Sequence, residues 1–365
     1  MLDDSDTVGR DNTSVKVSRR GLGERLRSSD QLRTQVPLLI ALIGLSVYAA
    51  SSSSLFLSKP NIQVLLDSVA ILGLITVGMT ILLIAGQMDL SVGAAATLTS
   101  VVAAKVLVGG QTETTAVIVG VAVAVGISIA IGLIVVATGV QPFILTLGLL
   151  SVFQAISLLQ TGQRPIPVGS AFRTLDTAKV MEVPLTFVCF VVALVIGFLI
   201  LQYTRLGRNL YAVGSNRDAA FLSGVRVGRI TVAAYALSGV LVGVAGIFLL
   251  AGLGAGDASS GNGLELEAIA AAIIGGAALV GGRGSMMGSF LGVLLLGLIS
   301  NALTLLNVSS FYQLFALGAL LVFAVVSTSV AERRREEGAK FSWRGVLIRI
   351  RRRADSPPSS PDLRR

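Results

Sequence analysis

The chain has 365 residues, of which 53% are apolar and only 13% are charged, whereas soluble globular proteins carry about 25% charged residues. This composition, together with a net charge of +9, excludes a soluble globular protein and predicts a membrane protein. The sequence has no His and a single Cys, Cys189, which excludes imidazole catalysis, His-ligated metals and any intrachain disulfide or cysteine cluster.

The first 35 residues are polar and of mixed charge, and they are too long and too acidic at their start for the charged region of a cleaved signal peptide. We therefore expect a cytoplasmic arm at 1–35, a transmembrane domain at 36–331 and a basic cytoplasmic tail at 332–365. The Pro-rich end of the tail, 356–365, has no apolar residues for a core beyond one Leu and is expected to be disordered.

Apolar runs of about 20 residues, the length that crosses a bilayer core of about 30 Å, recur along the rest of the chain. They predict an all-α polytopic membrane protein with about ten transmembrane helices. The predicted spans are 37–57, 65–85, 91–108, 114–138, 142–160, 184–203, 230–251, 264–280, 285–305 and 310–330. If 65–108 instead contains one broken helix and one span, the count lies between eight and ten. Pro37, Pro142 and Pro184 each lie at a predicted first turn, where the N–H has no intrahelical partner.

Basic residues indicate the orientation, because short loops rich in Lys and Arg stay in the cytoplasm. With both termini in the cytoplasm, the inner segments hold 24 of the 29 Lys and Arg residues. The basic tail is then explained by the lipid surface and needs no nucleic acid as a partner.

Polar residues near the spans are candidates for a pathway or a gate. Asp89 follows an apolar run and Ser91 is positioned to cap the next helix, so Asp89 either neutralises a helix N-terminus or acts in a pathway. Glu265 and Glu267 begin a span after a Gly-rich outer segment, 252–263, and the dipole of the first turn also explains them.

Two further polar residues, Gln154 and Asn301, lie within predicted spans. Either one is suited to bind a polar solute or to bond to another helix. The residues alone leave both possibilities open.

The loop 204–229 is the candidate contact for a partner on the inner side. Asn216 is expected to cap a short helix that reaches Leu222, Asp218 lies in its first turn, and Gly224 suits the left-handed stop. An ordinary surface helix in a long loop remains the alternative.

No motif supplies an energy source within this chain. A phosphate-binding G-x-x-x-x-G-K-[ST] string is absent from the sequence, and the spans carry no series of ionisable residues of the kind that coupled carriers need. Any nucleotide energy must therefore come from a partner.

Several strings resemble the permease subunits of bacterial ABC importers, and within them the ribose/xylose-type sugar permeases. The stretch from Asp218 to Gly224 is similar to the E-A-A-x-x-x-G loop of that superfamily, with Asp in place of Glu. The other similar strings are DLSVG at 89–93, FILTLG at 143–148, GRNLYAVGSN at 207–216, ELEAIAAAIIGG at 265–276, GGRGS at 281–285 and SSFYQ at 309–313. The resemblance covers roughly 60–330.

The resemblance implies the membrane permease of an importer for a monosaccharide or a related polyol, located in the bacterial inner membrane. It implies a second permease copy, identical or paralogous, a separate ATPase subunit that binds ATP and Mg²⁺, and an extracytoplasmic solute-binding protein. The residues assigned to coupling with the ATPase are Asn216, Arg217, Asp218, Ala219, Ala220 and Gly224. No cofactor and no metal are assigned to this chain.

Two other functions are considered. A passive channel for small polar solutes is the alternative to an importer. An intramembrane enzyme is disfavoured, because no nucleophile with a positioned base is visible in the sequence.

Overall fold

The computed structural model describes residues 19–309, 311–313, 315–316, 318–323, 326 and 330, with side chains from residue 35 onward. The predicted tail at 332–365 and the first 18 residues of the predicted arm lie outside the described residues. The helices are α1 (Arg19–Ser52), α2 (Lys59–Ile84), α3 (Val92–Val108), α4 (Glu113–Thr138), α5 (Pro142–Thr161), α6 (Arg173–Thr177), α7 (Leu185–Tyr203), α8 (Arg205–Ser215), α9 (Arg217–Leu222), α10 (Val227–Leu253), α11 (Leu264–Ile274) and α12 (Met286–Leu305). Four strands of two residues form two antiparallel pairs: β1 (Ile166–Pro167) with β4 (Ala255–Gly256), and β2 (Lys179–Val180) with β3 (Val183–Pro184).

Seven described helices are long and apolar enough to cross a membrane: α2, α4, α5, α7, α10, α12 and the Gln35–Ser52 part of α1. The predicted all-α membrane architecture is confirmed, whereas the count of about ten spans is not. The spans predicted at 91–108 and 310–330 correspond to shorter apolar helices, Val92–Val108 and Phe311–Phe323. The span predicted at 264–280 ends at Ile274, because the glycines that follow it turn the chain into positive φ, beginning at Gly276.

The three prolines have different positions. Pro142 is the first residue of α5, as predicted, and Pro184 directly precedes α7. The prediction for Pro37 is wrong, because it lies inside α1, which begins 18 residues earlier at Arg19. An interior proline removes one backbone hydrogen bond and crowds the carbonyl four residues earlier, which a helix can absorb by bending rather than ending there.

Two helices form the centre of the bundle. α2 and α10 are largely buried, pack against each other, and are surrounded by α3, α4, α11 and α12. Gly239 and Gly243 of α10 allow the backbone of α4 to come close: a Cβ at Gly239 would lie 2.7 Å from the Ser128 side chain. Few residues of α5 and α7 are buried, and the exposed side chains on these helices are largely apolar, as expected for helices that border lipid or another subunit.

Two chain segments enter the bundle without helical structure. Residues 85–91 leave α2 and lead to α3, and residues 254–263 leave α10 and lead to α11. The second segment, which includes most of the predicted Gly-rich outer segment 252–263, runs back along α3: a Cβ at Gly256 would lie 2.6 Å from the Ala104 Cβ, and the Gly261 amide donates to Thr97 Oγ1 at 2.9 Å. Ala104 and Thr97 are roughly 10 Å apart along the axis of α3, so the segment extends about that far into the bundle. α3 and α11 therefore both begin inside the protein.

Candidate coupling surface and translocation pathway

The loop between α7 and α10 folds into two short helices, α8 and α9. The Thr204 hydroxyl accepts the Gly207 amide at 3.1 Å and starts α8. Asn216 Oδ1 accepts the Ala219 amide at 2.9 Å and starts α9, and Gly224 has a φ of +82° just beyond its end. The predicted short helix, its cap and its stop are confirmed.

One side of α9 is anchored to the bundle and the other side is free. Ala220 is 5% exposed and packs in a cluster with Val213 and Val227. The following two side chains, Phe221 and Leu222, are 69% and 83% exposed. Arg217, Asp218 and Ala219 are also exposed.

Phe221 and Leu222 were missed in the sequence analysis. Successive helix residues are rotated by about 100°, so a six-residue helix that buries Ala220 must turn the next two side chains away from the bundle. Two large apolar side chains at that position are a signal for a partner surface. The α9 surface, as we call Arg217, Asp218, Phe221 and Leu222, is the candidate contact for a partner.

The end of α8 contacts the backbone of two other segments. The Gly282 amide donates to Ile84 O at 2.9 Å, and a Cβ on Gly214 would lie 1.9 Å from that same oxygen and 2.6 Å from the Gly282 nitrogen. A Cβ on Gly281 would lie 2.7 Å from Gly86 Cα. We call Gly86, Gly214, Gly281 and Gly282 the glycine junction.

The glycine junction places three backbone segments in direct contact. These are the end of α8, the end of α2 and the turn between α11 and α12. The Tyr211 hydroxyl adds a bond to Gly284 O at 2.9 Å. Backbone atoms, rather than flexible side chains, therefore join the end of α8 to the end of α2 and to the turn before α12.

Asp89 and Ser91 form a local structure in the segment that leads to α3. Asp89 is 2% exposed, and its Oδ1 accepts the Ser91 amide at 2.8 Å and the Ser91 hydroxyl at 2.5 Å. Ser91 occupies the N-cap position of α3, as expected, but its side chain makes no capping bond and instead donates to Asp89. The Leu90 amide donates to Thr146 Oγ1 at 3.0 Å, which fixes the segment to α5.

Gln154 and Asn301 bond to other parts of the chain. Gln154 Nε2 donates to Ala258 O at 2.8 Å and ties α5 to the segment that enters beside α3. The amides of Asn301 and Asn61 bond reciprocally at 2.9 and 3.1 Å and join α12 to the first turn of α2. The Asn301 bonds match the helix-bonding alternative, whereas Gln154 bonds to a non-helical segment of the chain.

Glu267 lines a polar cavity of about 210 Å³ between α2, α10, α11 and α12. Three serines, Ser68, Ser260 and Ser300, line the same cavity. Ser260 Oγ is buried and has no hydrogen-bond partner among the described residues. We call this space the hydroxyl cavity.

A second polar cavity of about 220 Å³ adjoins α2 at the end of the bundle opposite α8 and α9. It is lined by Asp67, Ser68, Asp176 and Thr186, among others, and the Thr186 hydroxyl donates to the Asp67 carboxylate. Ser68 lines both cavities. The serines and Asp67 were missed, because single hydroxyls and one carboxylate in apolar helices give no pattern in the sequence.

The five pathway candidates are therefore not brought together in one site. Asp89 and Ser91 lie where α3 begins, Gln154 contacts the segment before α11, and Asn301 lies at the outer end of α12. Among them, Glu267 lines the hydroxyl cavity. Within the described residues, no group of three or more His, Cys, Asp or Glu side chains is arranged to hold a metal ion.

The described chain is a bundle of helices long and apolar enough to cross a membrane, with interrupted segments and cavities inside and a short exposed helix at one end, which is the architecture expected of a membrane transport permease. Residues 61–325 match the family described as "Branched-chain amino acid transport system / permease component", and the chain belongs to this family. It is a multi-pass protein of the inner membrane and a transport subunit rather than an enzyme.

Curated relatives are similar over most of their length. The chain is 41% identical over 274 residues to the ribose import permease protein RbsC of Bacillus subtilis (strain 168), covering 74% of this chain and 85% of that protein. It is 33% identical over 293 residues to the ribose import permease protein RbsC of Escherichia coli (strain K12), covering 79% and 91%. It is 35% identical over 290 residues to the D-allose transport system permease protein AlsC of the same strain, covering 78% and 88%. No solved structure matches the chain.

Proposed function

We propose that this chain is the permease subunit of an ATP-driven importer for a monosaccharide of the ribose/xylose type or a related polyol. The observation that carries the proposal is the 41% identity to a ribose import permease across 85% of that protein. Two further relatives named above transport sugars by their printed names, ribose and D-allose.

The chemistry of the cavities supports a sugar over an amino acid, which the family description also names. The hydroxyl cavity contains serine hydroxyls and one carboxylate, and neither polar cavity is lined by Lys or Arg. A zwitterionic amino acid could pair its ammonium group with Glu267, but its carboxylate would find no Lys or Arg in the lining of either cavity. A neutral sugar only requires hydrogen-bond donors and acceptors.

The importer requires partners that supply energy and substrate. We propose two permease copies, two ATPase subunits that bind ATP and Mg²⁺, and an extracytoplasmic binding protein. In this assembly the α9 surface contacts the ATPase, with Asn216, Ala219, Ala220 and Gly224 shaping the helix that presents it. Movement of α9 then passes through the glycine junction to α2 and α12.

Movement of α2 and α12 would change the two interrupted segments. α2 continues directly into 85–91, and the turn before α12 continues from α11. The starts of α3 and α11 contact each other, since Gly261 packs beside Gly93 and Thr97. ATP-driven closure at the α9 surface would thus shift the bundle between two packed arrangements.

Uptake into proteoliposomes tests the proposal. Labelled ribose, xylose and leucine are offered to vesicles that contain this chain alone, or this chain with the ATPase, ATP and the binding protein. We expect sugar uptake only in the complete system and none when ATP is replaced by a non-hydrolysable analogue. Sugar flux through the chain alone would instead support the passive channel, and uptake of leucine would contradict the substrate class.

A further inference from the structure

An apolar groove of about 350 Å³ lies between α2, α7 and α10 and shares no lining residue with either polar cavity. Its lining runs along α7 from Val188 to Ile200, along α2 from Leu74 to Ile81, and along α10 from Leu237 to Val244. Every lining side chain is apolar apart from the thiol of Cys189. Apart from that thiol, the groove therefore provides no side chain that can hydrogen-bond to a polar solute.

The groove is bounded at both ends and opens toward the membrane. At the inner end, α8 packs against α2, α7 and α10, and at the outer end α6 packs against α7 and α10. Three lining side chains, Val192, Ile196 and Val240, are 51%, 52% and 43% exposed. An occupant must therefore enter sideways from within the bilayer.

The dimensions of the groove match one lipid chain. From Val188 to Ile200 it extends roughly 18 Å along α7, and one leaflet contributes about 15 Å to the bilayer core. The lining residues of α2 belong to its last eleven residues, next to the inner end of the bundle. A chain that starts in the inner leaflet is the better match.

Positive charge surrounds the inner end of the groove. Arg205 and Arg208 on α8 are exposed, as are Arg226 and Arg229 at the start of α10. Between residues 204 and 229 the only acidic residue is Asp218. This excess of positive charge at the ends of the two groove walls favours an anionic headgroup over a zwitterionic one.

We propose that the groove is a binding site for an anionic phospholipid of the inner leaflet. Its acyl chain lies along α7 between α2 and α10, and its headgroup lies near the arginines of α8 and of the start of α10. The groove shares no lining residue with the hydroxyl cavity or with the α9 surface.

Photocrosslinking tests the site in the full-length, reconstituted chain. Phosphatidylglycerol with a diazirine on one acyl chain is compared with phosphatidylcholine carrying the same chain, and adducts are mapped by mass spectrometry. We expect adducts to concentrate on 188–200 and 237–244, to be several-fold stronger with phosphatidylglycerol, and to decrease when unlabelled phosphatidylglycerol competes.

Three tryptophan variants distinguish the groove from the general protein surface. Ala193→Trp and Val240→Trp fill it from opposite walls and should abolish most adducts on the other wall. Val195→Trp is the control, because Val195 is 49% exposed on the same helix but does not line the groove. Val240 is already half exposed, so Val240→Trp should fold and provide the test even if Ala193→Trp does not fold.

Replacing both Arg205 and Arg208 with Gln tests the headgroup. We expect the preference for phosphatidylglycerol to fall several-fold while the adducts stay in the groove. Equal labelling by the two lipids in the native chain would overturn the headgroup assignment.

Two outcomes would overturn the site itself. One is uniform labelling over the outward faces of α4, α5 and α7, or labelling that the tryptophans do not change. The other is efficient crosslinking of Cys189 in one copy of the chain to Cys189 in another by a short bifunctional maleimide. This result would show that a second copy, and not a lipid, covers the groove. Cys189 is the only cysteine of the chain, so no other cysteine of the chain can form this crosslink.

Discussion

At the scale of single residues, the tightest contacts at the inner end of the bundle involve backbone atoms. Gly214 touches the carbonyl of Ile84 and the amide of Gly282, and nothing there can rotate away as a side chain would. Positions of this kind tolerate no Cβ unless the segments separate. The glycine junction is therefore sensitive to the smallest possible substitution.

Gly214→Ala should separate α8 from α2 and reduce coupled sugar uptake. Overpacking of this kind costs about 1–3 kcal/mol, which should also appear as a lower thermal midpoint of the purified chain. Gly148→Ala is the control, because no atom lies within 4 Å of a Cβ there. Normal uptake and an unchanged midpoint in Gly214→Ala would show that the junction does not transmit movement.

Asn216 makes a defined cap that can be tested apart from transport. Asn216→Ala should destabilise α9 by about 1 kcal/mol and accelerate hydrogen exchange of the Ala219 amide, whereas Asn216→Asp keeps the acceptor oxygen. The exchange rate measured by mass spectrometry checks this expectation. Equal exchange in both variants would contradict the role of the side chain.

Glu267 supplies the one carboxyl group in the lining of the hydroxyl cavity. If its carboxylate binds sugar hydroxyls, Glu267→Gln removes a charge-assisted bond of about 1.5–3 kcal/mol, and ATP-driven uptake should fall roughly tenfold or more. Glu113→Gln is the matched control, since Glu113 is exposed at the start of α4. Uptake that decreases equally in both variants would argue against a place for the hydroxyl cavity in the pathway.

At the scale of elements, the short helix α9 has the clearest division of roles. The buried residue Ala220 packs against the bundle, whereas the side chains of Phe221 and Leu222 are mostly exposed. Local capping determines that the helix forms, but the contact of Ala220 with Val213 and Val227 determines which side remains free.

Leu222→Ser should leave the fold intact and weaken ATPase binding. Exposed substitutions usually change stability by less than about 0.5 kcal/mol, whereas an apolar interface anchor contributes more than about 1 kcal/mol to binding. Leu159→Ser is a close control, since Leu159 is 82% exposed at the outer end of α5 and Leu222 is 83% exposed. Copurification of the ATPase measures the effect, and equal recovery with both variants would exclude Leu222 from the contact.

At the scale of the whole molecule, orientation is the feature on which the function depends. In a chain with Cys189→Ala, cysteines at two exposed positions, Asp218→Cys and Glu182→Cys, should react with a membrane-impermeant maleimide from opposite sides. We expect position 218 to be labelled only after the inner face is made accessible, and position 182 in intact cells. Labelling of position 218 in intact cells would show the opposite topology and would contradict the proposal that the α9 surface contacts the ATPase.

The sequence alone determined the class of protein, because composition and hydropathy depend on the bilayer as solvent and not on packing. It also determined α9, since the Asn216 cap and the Gly224 stop act over a few residues of chain. The string resemblance correctly indicated a sugar-type ABC permease, which the family match and the relatives support.

Only the tertiary structure decided where helices are interrupted and which residues meet. An apolar run predicts a membrane span whether or not its backbone is helical. The early end of α11 and the course of 254–263 along α3 could therefore not be predicted from hydropathy. The glycine junction, the hydroxyl cavity and the lipid groove each join residues far apart in the chain. Their geometry arises from packing between helices, which no local pattern of residues records.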